Sequence, residues 1–306
     1  MAAPGAALKV LVLGAGGLLG SAFVDALAGH EVVTAGREAL DIRAVSRVAG
    51  LVRHAAPEIV INCAAHTDVD GAEREPDAAI SANALLPGLV ATACRRIGAT
   101  VVHVSSTGCY GGWKAGPFSE EDEPHPTTAH HRSKLSGEVA VREAGCEFLI
   151  LRTGWLFGGR PGQPKNFVWN RLAEARSKAR MVSDAFQWGN PTFVGHVAEQ
   201  CLALLEFGLR GTFNCVSGPG TSRFDYVREI VAASGLPCRV EASTEPFKRL
   251  APVSPNEMAV NLRLDLLGLN RFPPWTESLK RYVAALIAAP EWRMSGAGPG
   301  SEAIRP

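Results

Sequence analysis

Residues 126–138, PTTAHHRSKLSGE, set His130 four residues before Lys134 at what reads as the start of a helix. A histidine titrates near neutrality and can give or take a proton, while a neighbouring ammonium disfavours its charged form. The pair therefore points to acid–base chemistry. A second stretch points to a dinucleotide. Gly14-Ala15-Gly16-Gly17-Leu18-Leu19-Gly20 follows an apolar run and opens a helix. Glycines there let the backbone approach a pyrophosphate, the last lets helix and strand pack closely, and the helix N-terminus offers unpaired N–H groups to negative charge. Gly14, Gly16, Gly17, Leu18, Leu19 and Gly20 are the expected cofactor turn.

The next segments refine the cofactor. The second strand ends in Gly36-Arg37, and a guanidinium there suits a ribose 2′-phosphate, so NADP(H) is favoured, with NAD(H) kept open by Glu38. Cys63, Ala64 and Ala65 follow the third strand; small residues let the backbone pass close to a cofactor. Asp68, Asp70, Glu73 and Glu75 read as helix caps and solvated charges, and no metal site is expected.

These residues need a frame. KVLVLGA (9–15), HEVVTAG (30–36), EIVINCAA (58–65), ATVVHVSS (99–106) and EFLILRTG (147–154) lack polar alternation, as strands covered on both faces do. Segments 18–28, 43–55, 77–98 and 132–145 between them carry helical apolar spacing. Strand and helix alternating in this way predict an α/β fold, a Rossmann-type doubly wound parallel sheet. The expected organisation is a cofactor domain over 1–155, a mainly substrate-binding lobe over 156–290 with segments returning to the sheet, and a disordered tail over 291–306.

Bulk composition excludes several classes. Lysine plus arginine (31) nearly balances aspartate plus glutamate (30), so no global field attracts nucleic acid or a membrane surface. A small-molecule substrate is the expected partner, and a homodimer is allowed. Seven scattered cysteines without a CxxC pair suit reduced thiols and a cytoplasmic location. The N-terminal apolar run reads as a buried strand, and no later run is expected to be long enough to cross a bilayer.

The succession ALDI, PEIVINCAAHTDVDGAE, AN, VVHVSST, KLxGE, LRTGWLFG, NF and GNPTFV resembles the dTDP-4-dehydrorhamnose reductase family of extended short-chain dehydrogenase/reductases, from about residue 9 to 285. The resemblance implies a nicotinamide cofactor and reduction of a keto group on a nucleotide-linked 6-deoxysugar. It places the glycine turn on Gly14, Gly17 and Gly20, the adenine-side pair on Asp41 and Ile42, and the catalytic trio on Ser106, His130 and Lys134. His130 stands where the family's YxxxK motif has its proton-donating tyrosine. Trp155 corresponds to the family's tryptophan near the substrate. Thr107 and Gly108 replace an aspartate and a substrate-side tyrosine, and His66 replaces another tyrosine. Asn190 joins Phe167, Trp169, Gln187, Trp188 and Asn256 as a candidate substrate contact, whereas His103 and His196 read as structural. Three functions follow: an NADP(H)-dependent reductase with an exchanged donor, a non-catalytic NADP-binding subunit like the regulatory subunit of a methionine adenosyltransferase, or altered chemistry with His130 or His66 as base.

Overall fold

The computed structural model describes residues 7–40, 45–163 and 165–294. Its first part runs β1 (Lys9–Leu13), α1 (Leu18–Ala26), β2 (Glu31–Ala35), α2 (Val45–Ala55), β3 (Ile59–Asn62), α3 (Val69–Arg74) and α4 (Pro76–Ile80). A π turn, Ser81–Leu85, carries α4 into α5 (Leu86–Ile97), followed by β4 (Thr100–Ser106), α6 (Ala129–Glu143) and β5 (Phe148–Thr153). The remainder comprises β6 (Trp155–Phe157), α7 (Phe167–Ser177), β7 (Arg180–Ser183), β8 (Trp188–Gly189), β9 (Pro191–Phe193), α8 (Val194–Glu206) and β10 (Gly211–Cys215). Then come β11 (Thr221–Ser222), α9 (Arg223–Ser234), β12 (Arg239–Ala242), α10 (Leu262–Leu266), α11 (Trp275–Ala288) and α12 (Pro290–Met294).

The central sheet has the order β10-β5-β4-β3-β1-β2 and is parallel throughout, as the alternating pattern requires. The first crossover carries the chain from β1 to β2 on one side, and the next carries it from β2 back past β1 to β3 on the other. This reversal opens a crevice beyond the carboxyl ends of β1 and β3, where doubly wound sheets bind ligands. Val10, Val12, Ile61, Val102 and Leu149 face one core with α1 and α8, while Leu11, Leu13, Val60, Val101 and Ile150 face the other with α2, α5 and α6. Burial on both faces explains the unbroken apolar runs.

Two expectations need correction. Pro76–Ile97 is long and apolar enough to cross a membrane, with mean hydropathy 1.3, although half of it is buried within the fold. It packs against α2 and α6, and its apolarity serves those contacts. Residues 291–294, assigned by composition to a disordered tail, lie in α12. Trp292 anchors them by packing edge-on to Trp169, with the Arg176 guanidinium over its ring.

A buried ion-pair network fixes α6 to the sheet. Glu138 is wholly buried and receives two bonds from Arg152, at 2.9 and 2.7 Å, and one from Ser105 Oγ at 2.6 Å. Arg142 adds a further bond at 2.7 Å and reaches Thr212 on β10. Burial alone would raise the Glu138 carboxyl pKa, but the bonds and charge of Arg152 hold it below the usual range. Glu138→Ala leaves Arg152 without its counterion and is expected to destabilise the fold by about 3–5 kcal/mol in urea denaturation. Glu138→Met combined with Arg152→Met is expected to lose less than Glu138→Ala alone.

Candidate active site

The turn after β1 is shaped for close approach. Gly14 has φ +75°, and a Cβ on it would stand 2.8 Å from Ala64 N, so this turn and the end of β3 touch backbone to backbone. A Cβ on Gly20 would stand 2.2 Å from Gly14 O, whereas one on Gly16 would enter open space. Gly17 caps α1 without a side-chain bond, and the first turn holds no acidic residue. The helix N–H groups are left for an anion, so this cradle fits a dinucleotide pyrophosphate. Leu18 is half-buried and Leu19 buried in the core beneath the turn. Cys63 lines the same edge, its thiol pushed up to about 12 by burial. Ala65 is exposed beside half-buried Ala64. Asp41 and Ile42 lie outside the described residues, as does the Arg37 side chain.

Ser106 ends β4, and His130 and Lys134 lie on α6, which meets β4 through Lys134. Thr128 caps α6 by accepting from His131 N at 3.0 Å, and Glu73 accepts from Ala129 N at 2.6 Å. Lys134 sits two turns inside and donates to the Val104 carbonyl at 2.5 Å. Ser106 accepts from Gly108 N at 3.1 Å through Oγ, which leaves its hydroxyl proton to donate elsewhere. Asn83, on the π turn, ties this corner together. It accepts from His66 N at 2.8 Å and donates to His66 O and Ser133 Oγ at 3.1 and 2.9 Å. Gly137 permits the approach, since a Cβ there would stand 2.0 Å from Asn83 O.

Electrostatics set the charge states. His130 is 8% exposed, its pKa lowered to about 3 by burial, then by His131 and Lys134, against a hydrogen bond to the His66 backbone. It is neutral throughout the physiological range. Its Nδ1, like that of His66, is buried without a partner. Lys134 is lowered to about 8 by burial, opposed by Cys109, Glu138 and Cys63. The expectation that Lys134 depresses His130 holds, with burial as the larger cause.

The corner at Gly108 is filled by His131. Its imidazole fills the volume beside Gly108, where a Cβ would stand 2.2 Å from the ring. Gly108 and Thr107 are both buried, so Gly108 faces this ring and not open space. Trp155 donates from Nε1 to Glu257 at 2.8 Å, and Gly189 packs its backbone against the indole. Asn190, expected as a substrate contact, is buried and braces the lobe instead: it donates to Ser217 O and accepts from Ala259 N, at 2.9 and 2.8 Å. His103 sits inside β4 against Asn62, and His196 bonds Ser278 and Glu199, as structural residues do. Asp68 caps α3 through Gly71 N. Asn83 is the asparagine of the AN motif, the doubled histidine at 130–131 hints at His131, and Arg223 and Glu257 carry no such signal in the sequence.

Because native His130 binds fewer protons than the unfolded chain between about pH 3 and 6.5, stability is present above that window and is lost as pH falls through it. His130→Phe is expected to flatten this acid limb by up to about 1.4 kcal/mol per pH unit, read from urea denaturation at stepped pH.

The family model of the RmlD substrate binding domain matches residues 8–288. The dTDP-4-dehydrorhamnose reductase of Mycobacterium tuberculosis is 36% identical over 286 residues, which cover 90% of this chain and 93% of that protein. A solved dTDP-4-dehydrorhamnose reductase from Clostridium acetobutylicum superposes with TM-score 0.87 at 32% identity, covering 91% and 99% of the two chains. That of Bacillus anthracis, in complex with NADP, gives TM-score 0.86 at 29% identity, covering 92% and 100%. The glycine turn after β1 and near-complete coverage by these relatives agree: this chain belongs to the dTDP-4-dehydrorhamnose reductase family.

Proposed function

We propose that the chain is an NADP(H)-dependent reductase of a nucleotide-linked 4-keto-6-deoxysugar. The observation that carries this reading is the buried Lys134 bonded to the Val104 carbonyl on β4, two residues before Ser106, on a sheet whose glycine cradle is open. The cradle residues, with Cys63, Ala64 and Ala65, would hold NADP(H), which supplies hydride chemistry when bound. Arg37 favours NADP(H) over NAD(H). We assign residues 1–155 to cofactor binding and 156–290 mainly to the substrate, with α8 and β10 returning to the sheet.

In this reading Ser106 donates its hydroxyl proton as a hydrogen bond to the substrate oxygen. Lys134, lowered to about 8, carries the labile proton nearest neutrality in the trio and supplies it to the nascent alkoxide. His130 stays neutral and positions the wall made with His66, so it does not serve as a charged acid. Trp155 borders the sugar. The thiols are unpaired, consistent with a cytoplasmic location. Buried, neutral His130 also favours a second reading, a cofactor-binding chain without turnover.

Three variants separate the two. Wild type is expected to oxidise NADPH with a dTDP-4-keto-6-deoxysugar, with kcat falling as pH rises through about 8 and no limb near 6.5. Lys134→Met is expected to lower kcat by about 10²–10⁴-fold, and His130→Phe by less than about tenfold. Turnover that appears only in His130→Tyr would establish the non-catalytic reading instead.

We further propose a homodimer through the α5–α6 face. Leu85, Val139 and Ile80 are exposed there beside a shallow groove lined by Ala84, Gly88, Leu89 and Ala140. A second copy would cover Ile80 and Leu85, large apolar side chains of Pro76–Ile97 that the fold leaves exposed. Leu85→Glu is expected to shift the sedimentation coefficient from dimer to monomer; a monomeric wild type would refute the assembly.

A further inference from the structure

Several charged side chains of the C-terminal half are paired. Arg228 meets Asp225 at 2.9 Å, Arg249 meets Asp70 at 3.0 Å, and Arg180 and Arg239 share Glu241 at 3.3 Å each. Arg223, the first residue of α9, has no such partner. Among the described residues its guanidinium makes no hydrogen bond or ion pair. It lies instead over the Trp155 ring, 3.4 Å from the centroid, with Phe167 at 5.1 Å. The indole is itself immobilised by Glu257 and by the Gly189 backbone, so the guanidinium plane is fixed from one side.

Such an arrangement leaves the N–H edge of the fork unused. Burial lowers the Arg223 pKa to about 10, so the group keeps its charge at neutral pH; Glu257 attracts it from beyond ion-pair distance. A partly desolvated cation without a bonded counterion carries a cost that an anionic ligand relieves. A planar fork stacked on an aromatic ring is suited to phosphoryl oxygens, which it can bind in pairs.

We propose that Arg223 receives the diphosphate of the nucleotide-linked substrate, with Trp155 as the plate that aims it. This rests on the reductase reading, which supplies a substrate carrying a diphosphate beside Trp155. Arg223 is thereby a binding residue for the substrate and has no part in holding NADP(H).

The test titrates full-length, NADP-loaded protein with dTDP and with thymidine, by calorimetry, in wild type, Arg223→Met and Arg223→Lys. Methionine keeps the stem packing on Trp155 and removes the charge. Arg223→Met is expected to weaken dTDP by about 10–100-fold while thymidine, NADPH affinity and Tm stay within about twofold or unchanged. Arg223→Lys is expected to recover part of the loss. Unchanged dTDP affinity in Arg223→Met would overturn the inference and leave the reductase reading standing. An equal loss for dTDP and thymidine would overturn it by assigning Arg223 to bracing Trp155. Failure of wild type to bind dTDP while binding NADPH would remove the nucleotide-sugar reading along with it.

Discussion

The site depends on a carboxylate buried among arginines. Glu138 stands one turn beyond Lys134 on α6, and its bonds to Arg152 on β5 and Ser105 on β4 decide how that helix lies on the sheet. Removing either partner would strand a charge in a medium that solvates it poorly. The pair therefore constrains position more than it adds to stability. With α6 so held, Lys134 reaches the Val104 carbonyl and His130 is driven against His66.

The same burial governs the chemistry. His130, His131 and His103 crowd around an ammonium and are all kept below the ordinary histidine range, with desolvation as the leading cause. Three imidazoles in a polar pocket suggest a site that switches charge near neutrality. In this fold burial disfavours their charged forms, and it also brings the Lys134 ammonium down to about 8. His130 thus contributes shape and hydrogen-bonding capacity here more than charge. His131 shows the same principle: it occupies volume beside a glycine, so the bulk at this corner comes from the helix and not from residue 108.

The surroundings of Trp155 differ in kind. Around Trp155 are gathered a carboxylate from residue 257, a guanidinium from residue 223 and backbone from residue 189, supplied by three separate segments. Each stabilises the indole in a different way, through a hydrogen bond, a cation–π stack and van der Waals packing. The indole is consequently a rigid wall rather than an adaptable one.

Much of this was legible in one dimension. Doubly covered strands must be apolar without alternation, so the parallel sheet followed from five such runs, and the glycine turn followed because no other residue lets β1 and β3 touch at Gly14 and Ala64. Local rules reach as far as the succession of motifs that marks the family. They could not show that Asn190 spends its amide on Ser217 and Ala259, because those partners come from distant segments. Nor could they show His131 beside Gly108 or Arg223 over Trp155, 68 residues apart in the chain. Sequence alone determined the sheet, the cofactor cradle and the family, since these rest on periodicity and backbone conformation. Tertiary structure alone decided the charge on His130 and the freedom of Arg223, since desolvation and pairing depend on which distant groups fold against them.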